Sequence, residues 1–320
     1  MLYSLSSYRP LFRNPHLATI AASYWPRRMD ERRFPVEAKL FRPETDVQVL
    51  IHKQQPQGEA RGDVVLVHGL EGSADSPYMR SLAQTLLEAG YATHRMNIRT
   101  CGGTEFMCNT FYHAGLTTDL FAYVMDLDRR RRTPAWVVGF SLGGNMALKL
   151  AGEMELDAAR VLAGVVAVSA PVDLKACALR LAERGNWLYQ RHFLKSMRRR
   201  LKMRRDVLGD LLRDEGGLPF RSVYEFDDLI TGPAFGFDGA DHYYRTQSAN
   251  QYTHRIEVPA LVVASQDDPL IAPEVYEPLR GNSNIQLLLT THGGHCGFLG
   301  RGRRNWLDEQ IRDWISNGHG

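Results

Sequence analysis

The sequence predicts an α/β protein with a mostly parallel central sheet, helices on both faces and a helical cap inserted late in the chain. Three observations predict it. Short apolar runs alternate with longer stretches of helical spacing. Two of those runs, residues 161–169 and 258–264, are continuous, as strands buried on both faces are. The alternation then stops between Pro171 and Tyr252, where the chain is helical, polar and aromatic.

Residues 47–52 and 64–67 read as the first strands, the second running into His68-Gly69. Ser76 and Pro77 start a helix over 77–88 that Gly90 stops. Residues 91–98 are a further strand. Leu116, Leu120, Tyr123, Val124 and Leu127 recur at helical spacing across 113–127. Arg129 to Arg132 end that helix, where cations suit its dipole. Residues 134–140 form a strand with a helix, 142–151, directly behind it. Strands at 161–169, 258–264 and 285–289 follow, and 305–315 is a closing helix. The chain is thus expected to be one domain, 1–320, with 171–252 inserted between two sheet strands as a cap. No linker flanks that insertion to make it a second domain.

Composition excludes several classes of function. Hydrophobic residues at 44% and charged residues at 23% are those of an ordinary globular protein. A net charge of +3 does not argue for nucleic acid. Cys101, Cys108, Cys177 and Cys296 show neither a C-x-x-C pair nor zinc-ligand spacing, so reduced thiols and no metal are expected. Residues 1–33 lack the apolar core of a signal peptide. No segment approaches the roughly 18 apolar residues of a membrane span. The expectation is a soluble, cytoplasmic protein. Residues 191–205 are the most basic run, a solvated face of the cap whose charge also suits peripheral contact with an anionic membrane. No base-reading motif accompanies it, so no nucleic-acid partner is expected.

The chemistry is concentrated at Gly139-Phe140-Ser141-Leu142-Gly143, a G-x-S-x-G sequence between a strand and a helix. A strand that turns abruptly into a helix strains its corner residue and crowds the positions two before and two after it. Gly139 and Gly143 answer that crowding. The corner projects Ser141 Oγ outward and aims the Leu142 N–H, at the helix N-terminus, towards a developing oxyanion.

A serine hydroxyl needs a base, and the base needs an acid to orient it. At such a sheet edge the partners follow in the order Ser, Asp or Glu, His. After the strand at 258–264 comes Ser265-Gln266-Asp267-Asp268-Pro269, with two carboxylates side by side. Asp268 is favoured, three positions after the small Ser265, with Asp267 as the alternative. After the strand at 285–289 comes Thr291-His292-Gly293-Gly294-His295-Cys296. His295 is favoured over His292 because it stands further out on the glycine loop. His68-Gly69-Leu70-Glu71-Gly72 follows an early strand and supplies the second oxyanion donor, the Leu70 N–H, with His68 ordering the loop. Asp227 and Asp228 read as caps of a helix in the insertion. The aromatic cluster from Phe220 to Tyr244 serves equally as an acyl-binding wall or as core.

These residues resemble the bacterial YheT-like branch of the α/β hydrolases, the AB-hydrolase family 4. The resemblance runs from Asn14-Pro15-His16-Leu17-Ala18-Thr19-Ile20 through His68-Gly69-Leu70-Glu71-Gly72-Ser73 and Ser76-Pro77-Tyr78. It continues in Asn97-Ile98-Arg99-Thr100-Cys101-Gly102-Gly103, Tyr112-His113-Ala114-Gly115 and the elbow extended to Gly144-Asn145. Glu225-Phe226-Asp227-Asp228, Tyr243-Tyr244-Arg245 and His292-Gly293-Gly294-His295 complete it. The resemblance implies the α/β-hydrolase fold and a Ser–Asp–His triad, falling here on Ser141, Asp268 and His295. It also implies hydrolysis of short-chain acyl esters or acylglycerols. Thr100 departs from the family's usual glycine and Ala114 from a common serine; the membrane anchor of the mammalian relatives has no counterpart. The expected activity is ester hydrolysis through an acyl-enzyme on a small acyl ester of short to medium chain, with no cofactor. Acyl transfer to an alcohol or thiol uses the same residues, and a silent binding module is the reading from another class.

Overall fold

The structure, a computed structural model, describes residues 8–25, 27, 29–131, 133–208, 220–301 and 305–317. The apolar runs pair into one sheet because neither of their faces tolerates water. Its strands are β1 (Glu37–Glu44), β2 (Val47–Gln54), β3 (Asp63–Val67), β4 (Ala92–Met96), β5 (Ala135–Phe140), β6 (Leu162–Val168), β7 (Ala260–Ser265) and β8 (Ile285–Thr290). Their order is β1-β2-β4-β3-β5-β6-β7-β8. Pairs from β4 to β8 are parallel, and β2 runs antiparallel to both β1 and β4. Strands β3, β4, β5 and β7 are buried along their whole length. That is the pattern of a sheet covered on both sides.

The covering helices form where expected. Helix α1 (Pro15–Tyr24) is capped by the Asn14 side chain, which accepts from the Leu17 N–H at 3.0 Å. Helix α2 (Pro77–Glu88) has proline in its first turn and buries Met79, Leu82, Ala83, Leu86 and Leu87 under the sheet. Helix α3 (Thr118–Arg131) and helix α4 (Leu142–Met154) pack on the opposite face from α2. Between β6 and β7 lie α5 (Leu174–Leu181), α6 (Trp187–Met203) and α7 (Ala240–Gln247), with shorter helical segments among the described residues around them. No strand interrupts that stretch among the described residues. The closing helix α8 (Trp306–Ser316) begins at an Asn305 cap.

Two expectations are corrected. Strand β1 was not anticipated: its residues are alternately exposed and half-buried, so only pairing with β2 identifies it. Helix α3 starts at Thr118, not at residue 113. Residues 113–117 are held instead by α7 and its approach: the Ala114 N–H donates to the Tyr243 hydroxyl at 2.8 Å, and His113 packs edge-on against Phe235 and Tyr243. Arg132 and residues 209–219 of the insertion lie outside the described residues.

Candidate active site

The strand-to-helix corner is as tight as the glycines require. Ser141 sits at φ 50°, ψ −119°, a left-handed φ that costs a non-glycine residue about 1–3 kcal/mol. A Cβ on Gly139 would run into the Gly143 carbonyl. One on Gly143 would lie 2.5 Å from the Val67 carbonyl oxygen and 2.6 Å from that of His68. The Ser141 N–H donates to the Val168 carbonyl at 2.8 Å, which pins the corner to the neighbouring strand. Leu142 opens α4, where first-turn N–H groups have no partner within the helix.

Three residues from distant parts of the chain meet in one line. Asp268 is 1% exposed. Its Oδ1 accepts from the backbone N–H groups of Leu270 (2.8 Å) and Ile271 (3.1 Å), and its Oδ2 lies 2.9 Å from His295 Nδ1. An ionised carboxylate only accepts, so Nδ1 carries the imidazole proton. Nε2, 2.9 Å from Ser141 Oγ, is left to accept from the hydroxyl. Of the two adjacent aspartates, Asp268 faces His295. Asp267 faces His292, with Nδ1 and Oδ2 3.1 Å apart, and accepts from the Gly294 N–H at 2.9 Å. The histidine loop is also held from behind: the His295 N–H donates to Thr19 Oγ1 of α1 at 2.8 Å, and Ser265 Oγ donates to the Gly294 carbonyl at 2.9 Å.

The loop after β3 lies against the corner, since a Cβ on Gly69 would sit 3.1 Å from that of Ser141. His68 is fully buried and orders the loop. Its Nδ1 donates to the Gly69 carbonyl at 2.7 Å, and its Nε2 accepts from the Ile98 N–H at 3.1 Å. Burial lowers its pKa to about 4, so the ring stays neutral in both bonds. The Gly69 N–H donates to the Tyr78 hydroxyl at 3.0 Å. Leu70 follows and, with Ser141, Leu142 and His295, lines a cavity of about 160 Å³. The rest of its wall is mostly apolar, with Leu181, Phe193, Met197, Phe226 and Ile230 from the stretch between β6 and β7.

Asn145, Tyr112 and Arg200 carried no role in the sequence, whereas Asp227 and Asp228 carried that of helix caps. Asn145 of the extended elbow ties α4 to the insertion: its amide donates to the carbonyls of Ala114 and Gln247, and its oxygen accepts from the Ala249 N–H. Asp228 caps α7 as expected, accepting from the Ala240 N–H at 2.9 Å. Asp227 does not cap a helix. It lines the cavity, accepting from Thr231 Oγ1 (2.6 Å) and the Tyr244 hydroxyl (2.7 Å), and burial raises its pKa to about 6. Arg200 of α6 and Tyr112 also line the cavity and meet at Glu71. Among the described residues no cluster of three or more His, Cys, Asp or Glu is arranged to hold a metal ion.

The family model of the alpha/beta hydrolase fold matches residues 63–301, from the first central strand to beyond the histidine loop. The chain belongs to that family. It is 32% identical to the YheT protein of Escherichia coli (strain K12) over 95% of this chain and 91% of that one, which places it in the YheT-like branch. It is 28% identical to medium-chain fatty acid ethyl ester synthase/esterase 2 of Saccharomyces cerevisiae, over 79% of this chain and 61% of the yeast protein. This α/β hydrolase thus spans about three fifths of that relative. The Pyrococcus furiosus esterase Pf2001 shares the fold, with a TM-score of 0.61 over 92% of this chain and 99% of that one at 18% identity. No described helix is long and apolar enough to cross a membrane.

Proposed function

We propose that the protein is a serine carboxylic-ester hydrolase that acts through an acyl-enzyme on short- to medium-chain acyl esters or acylglycerols. The observation that carries the proposal is the unbroken line from Asp268 through His295 to the hydroxyl of Ser141, which lines a mostly apolar cavity. In this reading Ser141 Oγ attacks the ester carbonyl while His295 Nε2 takes its proton. The carbonyl oxygen, now an oxyanion, accepts from the N–H groups of Leu70 and Leu142. Asp268 stabilises the imidazolium and keeps its proton side fixed without accepting the proton. His295 then gives the proton to the departing alcohol, and water attacking with help from the same imidazole frees the acid and restores Ser141. No step calls for a cofactor.

The cavity supports the chain-length reading. A cavity of about 150 Å³ takes a benzene-sized group, so the volume of about 160 Å³ fits roughly six acyl carbons. Residues 171–252 would act as a cap within a single domain, since they supply much of the cavity's lining. The outward residues Arg191, Lys195, Arg199 and Lys202 of α6, next to the exposed Trp187 and Leu188, suit peripheral contact with an anionic membrane.

A fluorophosphonate probe should label the folded protein and not Ser141→Ala. Turnover of p-nitrophenyl esters should be highest at short to medium chains. A folded protein that escapes labelling would favour the binding module, and faster turnover of long-chain emulsions than of soluble esters would favour a lipase. Acyl transfer is a second reading, favoured by the combined synthase and esterase name of the yeast relative; ester products formed from an added alcohol would reveal it.

A further inference from the structure

The loop that carries Leu70 is anchored from two sides. On the near side, His68 and Gly69 are tied to the sheet and α2 through the Ile98 N–H and the Tyr78 hydroxyl. On the far side stands Glu71, a non-glycine residue at φ 57°. Its N–H donates to the Tyr112 hydroxyl at 3.1 Å, and that hydroxyl donates back to Glu71 Oε1 at 3.0 Å. The charge on Glu71, 11% exposed, is met by Arg200, whose Nε and Nη2 lie 3.1 and 3.0 Å from Oε1.

Arg200 belongs to α6 of the insertion, and its guanidinium also reaches a second loop. Nη1 donates to the Thr100 carbonyl and, at 2.9 Å, to Thr100 Oγ1. Thr100 is fully buried at φ 61°, a left-handed backbone that a β-branched residue adopts only under constraint. One side chain from the insertion therefore clamps two strained residues at the ends of β3 and β4. Its plane also lies over the Tyr112 ring, 5.2 Å from the centroid.

We propose that Arg200 is a positioning residue for the ester-hydrolase chemistry: it holds Glu71, and with it the Leu70 N–H, in the attitude that receives the oxyanion. The donor is then set only while α6 is seated, which couples the insertion to catalysis. Without the guanidinium, Glu71 is a half-buried carboxylate lacking its cation and turns towards water. That movement pulls on the Tyr112 hydroxyl and on the peptide joining Leu70 to Glu71.

The inference rests on the serine-hydrolase reading, and kinetics of Arg200→Met, Arg200→Lys and Glu71→Gln on a soluble p-nitrophenyl ester separate the two. A lost oxyanion donor costs about 100- to 1,000-fold in kcat, so a loosened one should cost about 10- to 100-fold in Arg200→Met with KM within about threefold. Inhibition by an alkylboronic acid, which forms a tetrahedral adduct on the serine, should weaken by the same factor. Affinity for the planar carboxylic acid product should hold. Arg200→Lys should recover part of the loss. An unchanged kcat, or equal loss of boronate and product affinity, would overturn the proposal. Should Arg200→Met fail to fold, Glu71→Gln decides by the same criteria. A wild-type protein that neither hydrolyses esters nor takes the fluorophosphonate sinks the hydrolase reading; an active wild type with an equally active Arg200→Met sinks this inference alone.

Discussion

Asp268→Asn should remove most of the ester-hydrolase activity while leaving the fold in place. The native carboxylate accepts on both oxygens: two backbone N–H groups on Oδ1 and the imidazole Nδ1–H on Oδ2. An amide has one accepting oxygen. Turned towards His295, it would aim its NH2 at the N–H groups of Leu270 and Ile271, leaving buried donors facing each other. Two unmatched donors cost more than one, so the amide should turn its oxygen to the backbone and its NH2 to the imidazole. Nδ1 must then accept, the ring proton moves to Nε2, and Nε2 can no longer take the Ser141 proton. A wrong tautomer of this kind lowers kcat by about 10⁴-fold in the chymotrypsin triad, so a loss of 10³- to 10⁴-fold, about 4–5.5 kcal/mol, is expected here. Asp267→Asn leaves that line intact and should cost less than about tenfold, because among the described residues Asp267 pairs with His292 and the Gly294 N–H and not with His295. The assay is kcat/KM on a soluble p-nitrophenyl ester, with circular dichroism to confirm folding. If Asp267→Asn proved the more damaging, or Asp268→Asn stayed within tenfold of wild type, the assignment of the acid would be wrong.

Gly143→Ala should abolish labelling by fluorophosphonate and lower Tm, since its Cβ would meet two backbone carbonyl oxygens that no rotamer can move; a labelled variant with native Tm would refute the crowding argument. Asp227 gives a pH signature. Its folded pKa of about 6 exceeds the unfolded value, so its contribution to stability is complete below about pH 4 and is lost as pH rises through about 6. Asp227→Asn cannot ionise, and its Tm relative to wild type should therefore rise between about pH 4 and 7. The lowered His68 pKa pulls the other way in both proteins and cancels in the difference. A flat difference in thermal melts would show that Asp227 is not ionised at a cost.

What the bare sequence discloses here is whatever short-range geometry dictates. Gly139, Ser141 and Gly143 are legible because a strand-to-helix corner crowds residues two apart, wherever the rest of the chain goes. The runs behind β3, β5, β6 and β7 are legible because strands buried on both faces admit little but apolar residues. Helix α2 is bounded by its own proline and glycine. The order of serine, acid and histidine is legible only as what the family resemblance implies, with candidates for each found just after an apolar strand.

Tertiary structure alone decided the rest. Asp267 and Asp268 have the same chemistry and adjacent positions; spacing from Ser265 only favours Asp268, and the fold sets which histidine each side chain meets and buries Asp268 against the Leu270 and Ile271 N–H groups. Helix α3 loses its expected first turn because residues 113–117 find partners on α7, and no local propensity records that contact. Strand β1 exists through its pairing with β2. Arg200 reads as one basic residue among many in α6, and its two loops lie about a hundred positions or more away along the chain. A hydrogen bond of 3 Å between such distant residues is a property of the folded path, because side-chain identity sets what can bond and only the fold sets what is near.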